Sequence, residues 1–134
     1  MSSVPSSEHG LVQVAQRAED LERATRFYTD LLGRGPTASY DPPGLVFFDL
    51  GGGTRLLLEE RAPSAVLYLR VDDVAAEVER LEAAGVAITG RPHPIFRHED
   101  ATLGPAGTEE WHAFLLDSEG NSVGLVELRP VTGA

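Results

Sequence analysis

Two stretches of the chain share one design, and their repetition decides the fold: AVLYLRVDDV at residues 65–74 and LVQVAQRAEDL at residues 11–21. Each stretch has an extended apolar run typical of a strand, then an arginine, then an acidic pair that begins a helix-like segment. The chain has 134 residues, which is the length of one ordinary domain. The repeat must therefore be shared within a single fold.

A helix is predicted after each of the two strands. The stretch EDLERATRFYTDLLG at residues 19–33 has apolar residues at helical spacing, with Asp20 suited to cap the start and Gly33 the end. The stretch DDVAAEVERLEAAG at residues 72–85 has the same design. We therefore expect helices near residues 20–32 and 73–84.

Each half then continues with a strand, a glycine-containing turn and another strand: LVFFDLGGGTRLLLEE at residues 45–60 and WHAFLLDSEGNSVGLVEL at residues 111–128. The two turns align without a gap when Asp49 is placed on Asp117 and Gly52 on Gly120. The repeating unit is therefore strand, helix, then two or three strands, and neither copy covers its own sheet alone. We expect a disordered arm at residues 1–10 and one domain at residues 11–134, with module one at 11–62 and module two at 63–130. Residues 90–110 are expected to form an irregular, polar surface lid.

Composition excludes several classes of protein. A formal charge of −10 argues against nucleic-acid binding, because phosphates require a basic surface. No segment has the apolar length of a membrane span or the layout of a secretory signal, so we expect a cytoplasmic protein with no membrane partner. The absence of cysteine removes disulfides and thiolate chemistry.

The two helix-bearing stretches, together with FLLDSEGNSVGLVE at residues 114–127, resemble the vicinal oxygen chelate superfamily, which includes glyoxalase I, bleomycin-resistance proteins and extradiol dioxygenases. The last stretch is similar to the Asp-Pro-x-Gly-Asn signature of that superfamily, with Ser118 in place of proline. The resemblance implies an α+β fold in which two βαβββ modules form one cup-shaped, curved mixed sheet with helices on its convex side. It also implies a homodimer.

The resemblance further implies where a metal would bind. In metal-dependent members, each module supplies one His or Gln from its first strand and one Glu from its last strand. The matching positions here are Gln13, Leu56, Val66 and Gly124. Only Gln13 has a donor atom, and one neutral amide oxygen does not hold a divalent cation against water. We therefore expect no metal and no other cofactor.

Strand alternation and the resemblance together indicate a mostly apolar cup with few polar groups, which suits a small organic ligand. Gln13 would orient the ligand through its amide, Glu60 would lie at the rim, and His98 would contribute from the lid. The tryptophan that begins the next strand would either stack on the ligand or fill the core. On this interpretation, replacing Gln13 by Leu weakens ligand binding and leaves folding intact. The expected ligand-binding residues are Gln13, Leu56, Leu58, Glu60, Val66, Tyr68, His98, Trp111 and Gly124.

Two functions stay open at this stage. The first is a metal-free protein that binds a small, largely apolar organic molecule. The second is a metal-dependent lyase, isomerase or dioxygenase, with Zn, Ni, Mn or Fe held by ligands recruited from Gln13, Glu60, His98 or His112. The sequence favours the first function because three of the four expected ligand positions lack donors, and it identifies neither a catalytic residue nor a specific ligand.

Overall fold

The computed structural model describes residue 6 and residues 8–131. These residues form two compact units: residues 13–66 are the first unit, and the residues up to 12 together with those from 67 onward are the second unit. Most of the arm expected at residues 1–10 lies outside the described residues. Where the arm is described, it forms hydrogen bonds with later residues of its own unit: the Ser6 backbone N–H donates to Glu77 Oε1 at 2.5 Å, and the Arg70 N–H donates to the Gly10 carbonyl at 2.7 Å.

The first unit has one helix and four strands. They are β1 (Leu11–Arg17, from residue 13 onward in this unit), α1 (Leu21–Leu32), β2 (Ala38–Tyr40), β3 (Leu45–Gly51) and β4 (Thr54–Glu59). The strands lie in the order β2-β3-β4-β1. Strand β1 is parallel to β4, whereas the β2–β3 and β3–β4 pairs are antiparallel.

The second unit repeats this arrangement. Its elements are β5 (Val66–Arg70, from residue 67 onward in this unit), α2 (Val74–Ala83), β6 (Ile88–His98), β7 (Thr108–Leu116) and β8 (Ser122–Pro130). The strand order is β6-β7-β8-β5, with β5 parallel to β8 and the other pairs antiparallel. The prediction of an α+β chain built from two βαβββ modules is confirmed.

Both helices begin where the sequence predicts. The Asp20 carboxylate accepts the Arg23 backbone N–H at 2.9 Å, and the Asp73 carboxylate accepts that of Ala76 at 3.1 Å. These are N-cap hydrogen bonds, which satisfy donors that have no partner inside the helix. Helix α1 ends at Gly33, whose φ of 73° lies in the left-handed region that glycine adopts without strain.

Each helix packs on one face of the sheet in its own unit. In the first unit, Phe48, Leu56 and Leu58 form a buried cluster against apolar side chains of α1. In the second unit, strand residues such as Ala113 and Leu125 form the equivalent cluster with α2. Alternate strand residues point to the opposite side, which we call the helix-free face. It comprises Gln13, Ala15, Phe47, Arg55 and Leu57 in the first unit and Tyr68, His98, Glu110, His112, Phe114 and Gly124 in the second.

The segment expected to be an irregular lid is largely a strand. Strand β6 runs through residues 88–98 and pairs with β7 despite Pro92 and Pro94. Within its unit, β6 is the outermost strand, where proline is tolerated because one row of backbone N–H groups needs no strand partner. Three register shifts accommodate the irregular sequence. Only residues 99–107 form the connection to β7.

The two glycine turns do not align without a gap, so that expectation is wrong. The register of β3 and β4 shifts between Asp49 and Gly51, which inserts one extra residue, as in a β-bulge. A one-residue shift exchanges the two faces of a strand. The bulge therefore determines which residues of β4 face α1.

Within the described part of the chain, neither helix combines the length and apolar character that crossing a membrane requires.

Candidate functional site

A buried carboxylate lies between two imidazole rings on the helix-free face of the second unit. Glu110 Oε1 is 2.8 Å from His98 Nε2, and Glu110 Oε2 is 2.6 Å from His112 Nε2. The exposed fractions of His98, Glu110 and His112 are 1%, 2% and 6%. Burial of a carboxylate requires compensating hydrogen bonds, and here both oxygens have one.

Strand pairing brings these three residues together. Glu110 and His112 are two residues apart on β7, so their side chains share a face. On β6, Phe96 pairs with Glu110, and His98 lies two residues beyond Phe96. His98, expected in a polar lid, therefore lies at the end of a strand and is buried.

The Glu110 carboxylate determines which ring nitrogen of each histidine carries the proton. An ionised carboxylate only accepts hydrogen bonds, so each Nε2 must donate a proton to it. The Nδ1 atoms are then left as acceptors when the rings are neutral. Nδ1 of His98 is buried with no hydrogen-bond partner among residues 8–131, and Gly104 lies against the ring, since a Cβ at that position would be 2.8 Å from Cε1.

The aromatic rings of Tyr68 and Phe114 pack beside this network. The Tyr68 ring centroid is 5.3 Å from that of His112 and 5.6 Å from that of Phe114. Gly124 lies beneath them, and a Cβ there would be 2.8 Å from Tyr68 Cδ2 and 3.1 Å from Phe114 Cε1. The absence of a side chain at residue 124 is therefore what allows the Tyr68 ring to occupy this space.

The helix-free face of the first unit carries a different polar pair. Gln13 and Arg55 are register partners on β1 and β4, and Arg55 Nε donates to Gln13 Oε1 at 2.5 Å. Both residues are buried. The Arg55 guanidinium carbon also lies 5.6 Å from the centre of the Phe47 ring, which is within cation–π range.

Two expected ligand-binding residues lie on the other side of the sheet. Leu56 and Leu58 were placed on the same face as Gln13, but they pack against α1 in the core. The β-bulge at residue 50 is the cause, because it places Arg55 and Leu57 on the helix-free face instead.

Trp111 also lies on the helix side. Its ring packs against the cluster beneath α2, the Arg129 guanidinium carbon lies 3.8 Å from its centroid, and its Nε1 donates to Glu109. Of the two roles considered for this side chain, the contacts match that of core filling. Glu60 follows the end of β4 and is exposed, whereas Val66 at the start of β5 is buried.

Two carboxylates near these faces have shifted pKa values. Partial burial raises the pKa of Glu59 at the end of β4. The Thr102 hydroxyl lowers the pKa of Asp100, and a backbone hydrogen bond from Thr102 and the charge of His98 act in the same direction.

The residues at the expected metal positions do not fit a divalent cation. Gln13 Oε1 already accepts a hydrogen bond from a guanidinium, and a second cation there would be repelled. After correction for the bulge, the position on β4 falls on Arg55 or Leu57, and neither is a metal ligand. At residue 124, the Tyr68 ring occupies the space of a side chain. Among the described residues, no three His, Asp or Glu side chains are arranged to hold a metal.

Sequence reasoning missed Arg55 and the central role of Glu110. A signal existed for each of them. Arg55 is a single charged residue in front of three leucines on a strand, and Glu110 lies two residues before His112 on one strand face. The pairing of β6 with β7, which brings in His98, has no comparable local signal.

Comparisons with known proteins agree with this architecture. The family model for the Glyoxalase/Bleomycin resistance protein/Dioxygenase superfamily matches residues 10–125. Comparison with curated protein sequences gives no match.

Several solved structures share the fold. A glyoxalase/bleomycin resistance protein/dioxygenase superfamily member from Vibrio splendidus 12B01 has 14% identity and a TM-score of 0.67, with 90% of this chain and 98% of that chain covered. The methylmalonyl-CoA epimerase from Mycobacterium tuberculosis has 20% identity and a TM-score of 0.63, covering 97% and 93%. The Mn(II)-bound glyoxalase from Novosphingobium aromaticivorans has 16% identity and a TM-score of 0.63, covering 97% and 42%.

At these identities, the structural likeness concerns the fold alone. The family model covers most of the described residues and includes both helices and the paired turn regions. The chain belongs to the glyoxalase/bleomycin resistance protein/dioxygenase superfamily.

Proposed function

We propose that this protein binds a small, largely apolar organic molecule on the helix-free face of its second unit, without the metal that many members of the superfamily use. The observation that carries the proposal is that groups unable to bind a metal fill the expected metal positions. A guanidinium bonds to Gln13 in the first unit, and a tyrosine ring covers Gly124 in the second.

The composition of the face supports an organic ligand. Tyr68 and Phe114 provide aromatic contact area, while the polar groups are concentrated in the His–Glu–His network. Sites for small organic molecules commonly combine an apolar lining with a few fixed polar groups.

Metal analysis of the purified protein tests the first part of the proposal. We expect less than stoichiometric metal and no rise in melting temperature on addition of Zn²⁺, Ni²⁺, Mn²⁺ or Fe²⁺, because an ion that binds only the folded state must stabilise it. A stoichiometric ion, lost together with stability on chelation, would instead support the alternative of a metal-dependent lyase, isomerase or dioxygenase.

A thermal-shift screen of small organic molecules tests the second part. Compounds that raise the melting temperature are then titrated by calorimetry against Tyr68→Leu, which removes a ring from the proposed site. Tyr40→Leu is the matched control, since Tyr40 is an exposed tyrosine on β2 of the first unit. We expect the first variant to bind more weakly and the second to bind as the wild type does. Equal loss in both variants, or in neither, would contradict the proposed location.

Assembly and location are also part of the proposal. We expect a homodimer, and Phe27 and Leu31 on α1, which are 60% and 63% exposed, offer apolar surface that a second copy would cover. Sedimentation of a monomer at micromolar concentration would contradict this. Cytoplasmic location stays a prediction from the sequence.

A further inference from the structure

Both helices have an aspartate as N-cap, but among the described residues only α2 has a segment of the arm against its start. The backbone N–H of Asp72, which directly precedes the N-cap of α2, donates to Ser6 Oγ at 2.9 Å. The Ser6 backbone N–H donates to Oε1 of Glu77, a buried residue in the first turn of α2, at 2.5 Å. The arm therefore brings one acceptor and one donor to the start of α2.

The matching place in the first unit is an open cavity. Glu19 matches Asp72, since each directly precedes the N-cap aspartate of its helix. Ala24 matches Glu77, since each is the fourth residue of its helix. The cavity has a volume of about 460 Å³, and the residues that line it include Arg17, Glu19, Asp20, Arg23, Ala24 and Ser64. This volume is within the range of sites for small molecules, and the cavity lies at the start of α1 as the arm lies at the start of α2.

Hydrogen-bond donors without partners surround the cavity. The backbone N–H of Glu19 forms no hydrogen bond to any residue that the structure describes, whereas its counterpart in the second unit bonds to the arm. The Arg17 guanidinium likewise has no ion pair or hydrogen bond within the described part of the chain. The Ser64 hydroxyl oxygen accepts the Arg17 backbone N–H at 3.1 Å, so its own proton is left to donate. A molecule in this cavity would therefore meet groups that need an acceptor.

Two sequence differences between the units change what the site selects. Ala24 stands where Glu77 accepts the N–H of the arm, so the first unit has no carboxylate for such a donor. Arg23 stands where the second unit has Ala76, which adds a positive charge. The cavity of the first unit consequently favours a group that accepts hydrogen bonds and carries a negative charge.

The acidic side chains in the lining decide between a carboxylate and a phosphate. The Asp20 carboxylate accepts the Arg23 backbone N–H at 2.9 Å and lies 4.0 Å from the Arg23 guanidinium. Glu19 adds a second negative charge. Repulsion grows with the charge of the ligand, so these two side chains oppose a phosphate dianion more than a singly charged carboxylate.

We propose that the cavity at the start of α1 is a further binding site, for a peptide-like molecule that ends in a carboxylate. Its backbone would lie as the arm lies in the second unit. Its carboxylate would accept hydrogen bonds from the Glu19 N–H and the Arg17 guanidinium. This site is separate from the one proposed for the helix-free face of the second unit, and neither proposal depends on the other.

A nuclear magnetic resonance titration of the isotopically labelled protein with two matched probes tests the proposal. N-Acetylglycine carries the carboxylate, and N-acetylglycinamide has a neutral amide in its place. At neutral pH we expect N-acetylglycine to shift the backbone amide signals of residues 18–20. We also expect it to bind about fivefold more tightly than the amide, which is the size of an exposed charged interaction at a helix start. Equal binding of the two probes, no binding of N-acetylglycine, or shifts confined to other parts of the chain would overturn the proposal.

Two variants of the cavity assign the effect to its residues. Arg17→Gln removes the guanidinium that has no partner, and Arg17 is exposed, so the fold should be kept. Ala24→Glu supplies the carboxylate that the second unit has at Glu77. We expect each variant to lower the affinity for N-acetylglycine several-fold. Arg97→Gln is the matched control, because Arg97 is an exposed arginine on β6 of the second unit. Unchanged affinity in a folded Arg17→Gln protein, or an equal loss in the control, would overturn the site.

Discussion

The helix-free face of the first unit buries an amide beside a guanidinium, whereas that of the second unit buries a carboxylate between two imidazoles. The two units have the same strand order. Their polar pairs nevertheless come from different strands, β1 with β4 in the first unit and β6 with β7 in the second. The shared topology therefore determines where a buried face lies, and single residues determine which polar groups are buried on it.

The two units also differ in what lies at the positions expected to bind a metal. In the first unit a metal would be opposed by charge, because the positive guanidinium of Arg55 donates a hydrogen bond to the amide oxygen of Gln13. In the second unit a metal ligand at residue 124 would be opposed by lack of space, because the Tyr68 ring fills the space above Gly124. Substitutions at Gln13 and at Gly124 should therefore lower the stability of the folded protein for different physical reasons.

The largest effect is expected for Glu110→Ala. This change leaves two buried imidazoles without their shared acceptor, and removing one member of a buried charged network costs about 3 to 5 kcal/mol. Chemical denaturation measures the loss. Glu99→Ala is the control, since Glu99 is exposed on the adjacent connection and should change stability by less than about 0.5 kcal/mol. Similar values for the two variants would remove the network as a stabilising feature of the second unit.

Gly124→Ala tests whether the Tyr68 ring leaves space for a side chain at residue 124. The added methyl group would lie within 3.1 Å of ring atoms of Tyr68 and Phe114, and overpacking of this kind costs about 1 to 3 kcal/mol. Gly35→Ala in the first unit is the control, because a Cβ there has no atom within 4 Å. In thermal unfolding, Tyr68→Leu should recover part of the loss when combined with Gly124→Ala. No recovery would show that the ring is not the obstacle.

Gln13→Leu tests the contribution of the hydrogen bond between Gln13 and Arg55 to stability. The sequence-based expectation was that folding would be unaffected, but Gln13 is buried and accepts a hydrogen bond from Arg55. Loss of a hydrogen bond to a charged partner should cost about 1 to 2 kcal/mol, since burial of leucine offsets part of the penalty. Gln16→Leu on the same strand is the matched control, because Gln16 is more exposed and its side chain accepts the backbone N–H of Ala65 and not a charged donor. Equal unfolding free energies for the two variants would contradict a structural role for the Gln13–Arg55 pair.

The smallest effect is expected in the turn after β7, where Asp117 accepts hydrogen bonds from the Asn121 side chain and from backbone N–H groups. The Asn121 side chain is the main cause that lowers the pKa of Asp117. A lowered folded-state pKa stabilises the protein above the unfolded-state pKa of about 3.9, and this contribution is lost as the pH falls through the folded-state value. Asp117→Asn should therefore remove part of the stability gained between strongly acidic pH and neutrality.

Unfolding measured across that pH range checks the prediction for Asp117. Asn121→Ala removes the main donor and should weaken the same pH dependence. An unchanged pH profile in Asp117→Asn would show that this turn makes no titratable contribution.

Much of the fold was predictable because its signals are local. The apolar periodicity of residues 19–33 and 72–85, together with Asp20 and Asp73 at their starts, predicts both helices within one or two residues of their bounds. Strand β6 was missed because its prolines usually interrupt a sheet, and only its position at the outer edge makes them acceptable.

The candidate site was less predictable. Gln13, Tyr68 and Gly124 lie on the helix-free faces as strand alternation predicted, whereas His98 lies at the end of a strand and not in a lid. Leu56 and Leu58 lie on the opposite face, because one extra residue at the β3–β4 turn reverses the faces of β4. The alignment of the two halves could not reveal that residue, since each of Gly51, Gly52 and Gly53 could be placed on Gly120.

The sequence by itself determined the repeated βαβββ plan and the helix starts, because each of these depends on residues close together in the chain. Only the tertiary structure decided that Arg55 lies against Gln13 and that Glu110 joins His98 to His112. These contacts depend on strand register, and a shift of one residue would send the same side chains to opposite faces of the sheet. The chemistry of each face therefore follows from pairing between distant segments, which no local pattern in the chain specifies.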